Sequence, residues 1–127
     1  MKINHIALIA SSEEKADRFY LDLLGLKKAA AKTVEASLSL ALFNLNFPLT
    51  YVSYYHDDLR FEIFILPESQ PQLSPTHVCL EVNDREIFLS KCLGLGLPVK
   101  RVIKEGKEIV FIGDFDGHLF EIKEIQK

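Results

Sequence analysis

The feature that most constrains this chain is a pattern that occurs twice in its 127 residues. The first half opens with I-N-H-I-A-L-I and closes with R-F-E-I, and the second opens with P-T-H-V-C-L-E-V and closes with L-F-E-I. Each half offers one histidine in its first predicted strand, His5 or His77, and one glutamate in its last, Glu62 or Glu121. Two copies are too few for a solenoid. The pattern therefore predicts a duplicated module with pseudo-twofold symmetry.

A proline-rich stretch separates the two copies. Its three prolines are Pro67, Pro71 and Pro75. Proline neither continues a helix nor donates to a sheet ladder, so this stretch is predicted to be an extended connection. We predict a single domain over residues 1–127, in which module one covers 1–66, the linker 67–75 and module two 76–127.

Within each module the apolar pattern predicts a strand, a helix and three further strands, which together make an α+β fold of tandem βαβββ modules. Nearly continuous apolar runs predict the first strands, Ile3–Ala10 and Thr76–Val82. Capping residues followed by helical spacing predict helices that end at Gly25 and at Gly94 to Pro98. Strict alternation predicts a strand at Val34–Leu42. The other predicted strands are Leu49–Tyr55, Arg60–Leu66, Val99–Lys104, Glu108–Gly113 and His118–Ile125.

Composition and charge argue against several classes of partner. The net charge of -3 lacks the basic excess that binds nucleic acid or an anionic membrane. Cys79 and Cys92 have no disulfide-framework spacing, which indicates free thiols in a reducing compartment. The N-terminal apolar run is short and interrupted by Asn4 and His5, and no run approaches the length of a membrane span. We predict a cytoplasmic protein with a small-molecule substrate and no nucleic-acid or membrane partner.

Two imidazoles and two carboxylates stand at equivalent places in otherwise apolar strands. A lone histidine there is more often a hydrogen-bonded core residue, but repetition in both copies reverses that balance, because unpaired buried charge is costly. We predict that these side chains converge on one divalent metal ion; the ligands are His5, Glu62, His77 and Glu121. Such ligands suit zinc, nickel, manganese or iron. The ion would polarise a carbonyl or hold an enediolate while Glu62 or Glu121, the predicted catalytic residues, moves a proton.

Other polar side chains are predicted to serve the fold. Cys79 shares a strand face with His77, and a buried thiol is favoured over a metal ligand. His118 falls on the face opposite Glu121, where it leaves a turn, and His56 belongs to a solvated loop. A plain sheet face is favoured over a pocket mouth for Tyr51, Tyr54, Tyr55 and Arg101.

Four motifs in order resemble the vicinal oxygen chelate superfamily over the whole chain. They are N-H-I-A-L-I-A, F-Y-x-D-L-L-G-L (Phe19 to Leu26), T-H-V-C-L-E-V, and G-D-F-D-G-H-L-F-E-I in place of the commoner D-P-D-G-N-x-x-E-L. That superfamily includes glyoxalase I, fosfomycin resistance proteins, extradiol dioxygenases, methylmalonyl-CoA epimerase and bleomycin-binding proteins. The resemblance implies mixed sheets that curl around a central metal site, and subunits that pair into a homodimer.

Glu62 makes the chain most similar to glyoxalase I-like members. In the superfamily, glyoxalase I has a glutamate at this place, whereas fosfomycin thiol transferases and extradiol dioxygenases use only the two histidines and the final glutamate. The resemblance implies a metal-dependent lyase or isomerase that moves a proton between adjacent carbons of a small α-oxygenated substrate, such as a hemithioacetal. Zinc or nickel is the favoured ion, with manganese or iron as alternatives.

Two positions depart from glyoxalase I. That enzyme has an arginine four residues after the first histidine and an asparagine four residues after the first glutamate, both for glutathione, where this chain has Ile9 and Leu66. The resemblance therefore does not carry glutathione over to this chain. Two alternatives stay open: a three-ligand member with fosfomycin-resistance or dioxygenase chemistry, in which Glu62 is a base beside the metal, and a small-molecule binding protein without turnover.

Overall fold

The structure is a computed structural model that describes residues 1–68 and 75–126. The chain divides into two compact units, Met1–Gln70 and Pro71–Lys127. Residues 69–74 of the predicted linker lie outside the described part of the chain. The single-domain interpretation and the module boundaries at 66 and 76 therefore stay predictions.

The first unit combines a mixed sheet with helices. Its elements in chain order are β1 (Ile6–Ala10), α1 (Glu13–Ala16, which continues as a π-helical segment, Asp17–Leu23), β2 (Lys27–Lys28), β3 (Lys32–Val34), α2 (Ala36–Phe43), β4 (Leu49–His56) and β5 (Leu59–Ile65). The strand order is β1-β5-β4-β2, and β3 also pairs with β4. Strand β1 runs parallel to β5, whereas β2, β3 and β5 run antiparallel to β4.

Helix α1 begins and ends as its sequence predicts. The Ser12 hydroxyl accepts from the Lys15 amide at 3.1 Å and so caps the first turn. The Leu24 amide donates to the Phe19 carbonyl at 3.0 Å, a wide turn that the apolar spacing alone does not indicate. Gly25 follows with a φ of 71°, a left-handed conformation that glycine adopts at low cost.

A buried aromatic cluster packs this helix against one face of the sheet. The Tyr20 ring stacks on Tyr54 at 5.3 Å and lies 5.2 Å from Phe61, and all three residues are buried. The Tyr54 hydroxyl donates to the Asp17 carboxylate at 2.7 Å. Burial, and then this carboxylate, raise the pKa of Tyr54 far above its usual range. Tyr54 is therefore a core residue of the first unit.

The predicted strand at Val34–Leu42 is wrong. Residues Ala36–Phe43 form helix α2, which Asn44 ends in a left-handed conformation with a φ of 59°. Leu42 is 62% exposed, so the alternating leucines do not bury one common face as a strand would require. Alanine and leucine are strong helix formers, and here that local preference prevails over the alternating pattern.

The short strands β2 and β3 were not predicted. Lys27 and Lys28 of β2 pair with Tyr55 and Tyr54 of β4, and β3 pairs with the opposite end of the same strand. Both form the outer edge of the sheet. Lysines on an edge strand discourage pairing with other chains, and they also remove the apolar alternation by which a strand is recognised.

The second unit follows the prediction closely. Its described elements are β6 (His77–Val82), α3 (Arg85–Gly94), β7 (Val99–Lys104), β8 (Lys107–Gly113) and β9 (Leu119–Glu124). The strand order is β6-β9-β8-β7, with β6 parallel to β9. The Asp84 carboxylate caps α3 by accepting from the Ile87 amide at 3.0 Å.

Asp114 holds the turn between β8 and β9. Its carboxylate accepts from the amides of Asp116 and His118, both at 2.9 Å, and lies 2.7 Å from His118 Nδ1. Both side chains of the Asp114–His118 pair are buried. The predicted hairpin turn is therefore confirmed, and His118 belongs to the turn rather than to a strand face.

Each unit thus runs strand, helix and then three strand positions, since β2 and β3 pair with β4 as β7 pairs with β8. The predicted α+β class, with two curved mixed sheets of βαβββ order, is confirmed. Among the described residues, no helix is both long and apolar enough to cross a membrane.

Candidate metal centre

His5 and Glu62 lie side by side in the first unit. In the parallel register of β1 and β5, Ala7 is directly opposite Glu62, and His5 precedes Ala7 by two residues at the entrance of β1. His5 Nε2 is 3.5 Å from Glu62 Oε1, and the two side chains are 38% and 20% exposed. The pair is therefore partly shielded from water yet reachable from solvent.

The second unit repeats this arrangement in the same register. Cys79 of β6 is directly opposite Glu121 of β9, and His77 precedes Cys79 by two residues. His77 Nε2 is 3.5 Å from Glu121 Oε1, and the side chains are 32% and 21% exposed. Each unit thus presents one histidine and one glutamate with the same offset, the same separation and similar exposure.

A hydrogen bond at the second ring nitrogen orients each imidazole. His5 Nδ1 lies 2.8 Å from the Asn4 side-chain oxygen, and His77 Nδ1 lies 2.7 Å from the Pro75 carbonyl oxygen. Both partners are acceptors, so each Nδ1 carries a proton and donates it. In a neutral imidazole this leaves the lone pair on Nε2, the atom that faces the glutamate. An oxygen partner on the remote nitrogen is typical of metal-binding histidines.

The chemistry of each pair fits a cation. A lone pair on Nε2 and a carboxylate oxygen repel each other unless a proton or a metal ion lies between them. Two ligand atoms at about 2.1 Å from a tetrahedral ion are roughly 3.4 Å apart, close to the separation in each pair. Nitrogen and carboxylate oxygen together suit the first-row divalent metals.

The structure gathers the four predicted ligands as two pairs. Over residues 1–68 and 75–126, no group of three or more histidine, cysteine, aspartate or glutamate side chains is arranged to hold a metal ion. His5 is paired with Glu62, and His77 with Glu121. A single ion shared by all four side chains stays a prediction.

The two cysteines differ in their surroundings. Cys79 is exposed, which corrects the prediction of a buried thiol beside His77. Partial desolvation, and then the Glu121 carboxylate, raise its pKa and favour the protonated thiol. Cys92 is buried on the inner side of α3, where burial raises its pKa to about 11.

Arg101 belongs to a surface ion-pair network. Its guanidinium bonds to both Glu86 and Glu108, and its contact with Glu108 is 2.7 Å long. Glu108 also lies 3.6 Å from Arg85. These charges are satisfied among themselves, as expected for a sheet face.

An apolar cavity lies beside the first pair, and the sequence did not reveal it. It measures about 270 Å³ and lies against β1, β5 and α2. Its lining includes Ile9 and Leu66, the two positions where the sequence departs from glyoxalase I. Phe43 of α2 lines it as well, and its ring meets Phe64 edge-on at 5.7 Å. Because α2 was predicted to be a strand, this wall could not be anticipated.

The family model of the Glyoxalase/Bleomycin resistance protein/Dioxygenase superfamily matches residues 2–122. Because this match covers nearly the whole chain, the protein belongs to that superfamily. The resemblance inferred from the four sequence motifs is thereby confirmed. No curated protein sequence matches the chain.

Several solved structures share the fold at low sequence identity. A glyoxalase family protein from Bacillus cereus has a TM-score of 0.75 at 16% identity, over 98% of this chain and 93% of its own. One from Enterococcus faecalis has a TM-score of 0.68 at 21% identity, over 95% of each chain. A variant of the fosfomycin resistance protein FosX from Listeria monocytogenes, complexed with Mn(II) and 1S,2S-dihydroxypropylphosphonic acid, has a TM-score of 0.71 at 19% identity, over 96% and 90%. At such identities the likeness establishes the fold alone.

Proposed function

We propose that this protein is a metal-dependent lyase or isomerase of the glyoxalase kind, in which the two histidine–glutamate pairs bind one divalent ion together. The four ligands are His5, Glu62, His77 and Glu121. The observation that carries the proposal is the repetition of one arrangement in both units: the same register, the same 3.5 Å separation and a hydrogen bond from Nδ1 to an oxygen atom. Each pair supplies only two ligands, so both pairs would be needed to hold an ion with four protein side chains, and positions beyond these four would be left for the oxygen atoms of a substrate.

One of the two glutamates would move a proton between adjacent carbons of the substrate. A divalent ion held by these ligands would polarise oxygen atoms on adjacent carbons of a small α-oxygenated substrate, such as a hemithioacetal. Glu62 or Glu121, detached from the ion, would accept a proton from one carbon and return it to the neighbouring carbon. Zinc or nickel is the favoured ion, and manganese is a further candidate because the FosX variant binds it. A cytoplasmic homodimer stays the predicted state of the protein.

Glutamine substitutions at the two glutamates test the proposal. Glu62→Gln and Glu121→Gln keep the side-chain volume but remove the base, so we expect each to lower kcat at least 100-fold with hemithioacetals of several thiols. The matched control is Glu14→Gln in the exposed first turn of α1, which should leave kcat unchanged. Metal content by elemental analysis and circular dichroism accompany the assay. Full activity in both variants would falsify the proposal, and tight ligand binding by metal-free protein without turnover would indicate a binding protein.

Mixing the two variants tests which chains supply the ligands. If two copies of the chain exchange units to build a site, co-refolded Glu62→Gln and Glu121→Gln chains regain one intact ligand set in a mixed dimer. Activity then returns on mixing. If one chain supplies all four ligands, the mixture stays inactive.

Epoxide opening is a second candidate, favoured by the FosX relatives of the same fold. In that case three ligands hold the ion, and Glu62 is a base beside it. Consumption of fosfomycin by the manganese-loaded protein, with no isomerisation of hemithioacetals, would select this function. An iron requirement with oxygen uptake on catechols would instead indicate a dioxygenase.

A further inference from the structure

The apolar cavity of the first unit opens on the same sheet face as Glu62, one of the two candidate metal ligands in that unit. Ala7, which lies directly opposite Glu62, lines the cavity. Ile9 and Phe64, paired with each other two residues further along β1 and β5, line it too. Residues two apart on a strand share one face, so the cavity continues the face that carries Glu62.

The cavity wall has no charged or polar side chain. Besides Ala7, Ile9 and Phe64, it includes Phe43, Leu45 and Leu66. The Phe64 ring is fixed from two sides, by Phe43 at 5.7 Å and by Tyr51 at 5.1 Å. An ionised group placed here would lose its hydration without gaining a partner, whereas an uncharged hydrocarbon group would be stabilised by leaving water.

The size of the cavity limits its occupant. Its volume of about 270 Å³ falls just below the roughly 300–1,000 Å³ of pockets that hold drug-sized ligands. A short alkyl chain or one aromatic ring is an occupant of suitable size.

We propose that this cavity binds an uncharged alkyl or aryl group of the substrate, whose oxygen atoms lie at the metal ligands. This inference rests on the proposed function and adds the substrate class: a small oxygenated compound with an apolar extension rather than an ionised one.

The test is a chain-length series that measures binding rather than turnover. Straight-chain alkyl hydroxamates from acetyl to octanoyl carry a metal-chelating head and an apolar tail of increasing length. With zinc-loaded protein, calorimetry should show Kd falling about fourfold per added methylene until the cavity is full, because each buried methylene contributes similarly. An affinity that does not depend on chain length overturns the inference without any variant being needed.

A matched pair of substitutions localises the effect. Leu66→Asn places an amide in the cavity wall and should reduce the factor per methylene to near one, while acetohydroxamate binding stays within twofold of wild type. Leu42→Asn makes the same change on the exposed side of α2 and should leave the whole series unaltered. An unchanged chain-length dependence in folded Leu66→Asn overturns the assignment to this cavity.

A metal-free arm separates this inference from the proposed function. Hexanamide added to chelator-treated protein should shift the methyl resonances of Ile9 and Leu66. If these shifts appear while hemithioacetals are not turned over, the cavity assignment stands and the proposed function fails. If hemithioacetals are turned over but hydroxamate affinity does not depend on chain length, the proposed function stands and the cavity assignment fails. Shifts that follow protein concentration instead of added hexanamide indicate that a second copy covers the cavity, and they overturn the inference.

Discussion

The two units hold the same histidine–glutamate pair in unlike surroundings. In the first unit the outer strand is split into β2 and β3, and α2 adds one wall of an apolar cavity. In the second unit β7 is continuous, and the Phe111 ring of β8 meets His77 edge-on at 5.0 Å. A cavity of about 350 Å³ there includes Lys100 in its lining. The parallel strand pair that positions the histidine and the glutamate is thus repeated closely, and the differences lie at the outer strands and their connections.

The largest effect is expected from substitutions in the two parallel strand pairs, and it tests whether both pairs are equally important for stability. Ile63 and Ile122 each follow the paired glutamate by one residue, so they point to the opposite face, and both are fully buried. Ile63→Ala and Ile122→Ala should each lower the free energy of unfolding by about 2–5 kcal/mol. Chemical denaturation measures this loss.

Ile103→Ala is the control for that pair. Ile103 lies on β7 and is 75% exposed, so the change should stay within about 0.5 kcal/mol. A large loss from only one of the two buried substitutions would show that one unit alone dominates the stability of the chain.

The two hairpin turns differ more than the strands they join. Asp114 is buried and accepts from amides and His118, whereas Asp58, between β4 and β5, is exposed. Asp114→Ala should cost roughly 2–3 kcal/mol, because several donors lose their acceptor inside the protein. Asp58→Ala should change stability by less than about 0.5 kcal/mol. Equal effects in thermal unfolding would contradict the assigned role of Asp114.

The smallest expected effect concerns the atoms that orient the two imidazoles. Asn4 supplies a side-chain oxygen to His5, whereas Pro75 supplies a backbone carbonyl to His77. Asn4→Ala should weaken zinc binding about tenfold, the lower end of what the loss of such a partner costs. Asn4→Asp retains an oxygen acceptor and should restore most of the affinity. Competition titration with a chromophoric chelator measures both affinities. An unaltered zinc affinity in Asn4→Ala would show that the Asn4 side chain does not orient His5 for metal binding.

Much of the fold could be predicted because the parallel strand pairs and the helices α1 and α3 carry strong local signals. Apolar runs, capping residues such as Ser12 and Asp84, and turn residues such as Gly25 all agree with the tertiary structure. Helix α2 could not be predicted from the spacing of its apolar residues. Its leucines are exposed, so their spacing does not reflect one buried face of either a strand or a helix. The lysine-rich edge strands β2 and β3 were missed for the same physical reason: little apolar surface is buried there.

Each histidine–glutamate pair could be singled out from the sequence, but the hydrogen-bond partners of the two imidazoles could not, and the joining of both pairs at one ion stays a prediction. Repetition in two copies singled out the histidines and glutamates, and the structure pairs them within each unit. Sequence carries no signal for a backbone acceptor such as the Pro75 carbonyl, since any residue has one. The cavity could not be predicted either, because part of its wall is helix α2, which the alternating pattern predicted to be a strand.

Helix α2 connects the outermost strand of its sheet to β4, so it can lengthen, shorten or change sequence without altering the pairing of β1 with β5. Variation in this single connection can therefore reshape the wall of the cavity while His5 and Glu62 keep their positions. Among the described residues of the second unit, no helix lies between its outer strand β7 and β8, so the two units can diverge at this connection while both retain the same histidine–glutamate register.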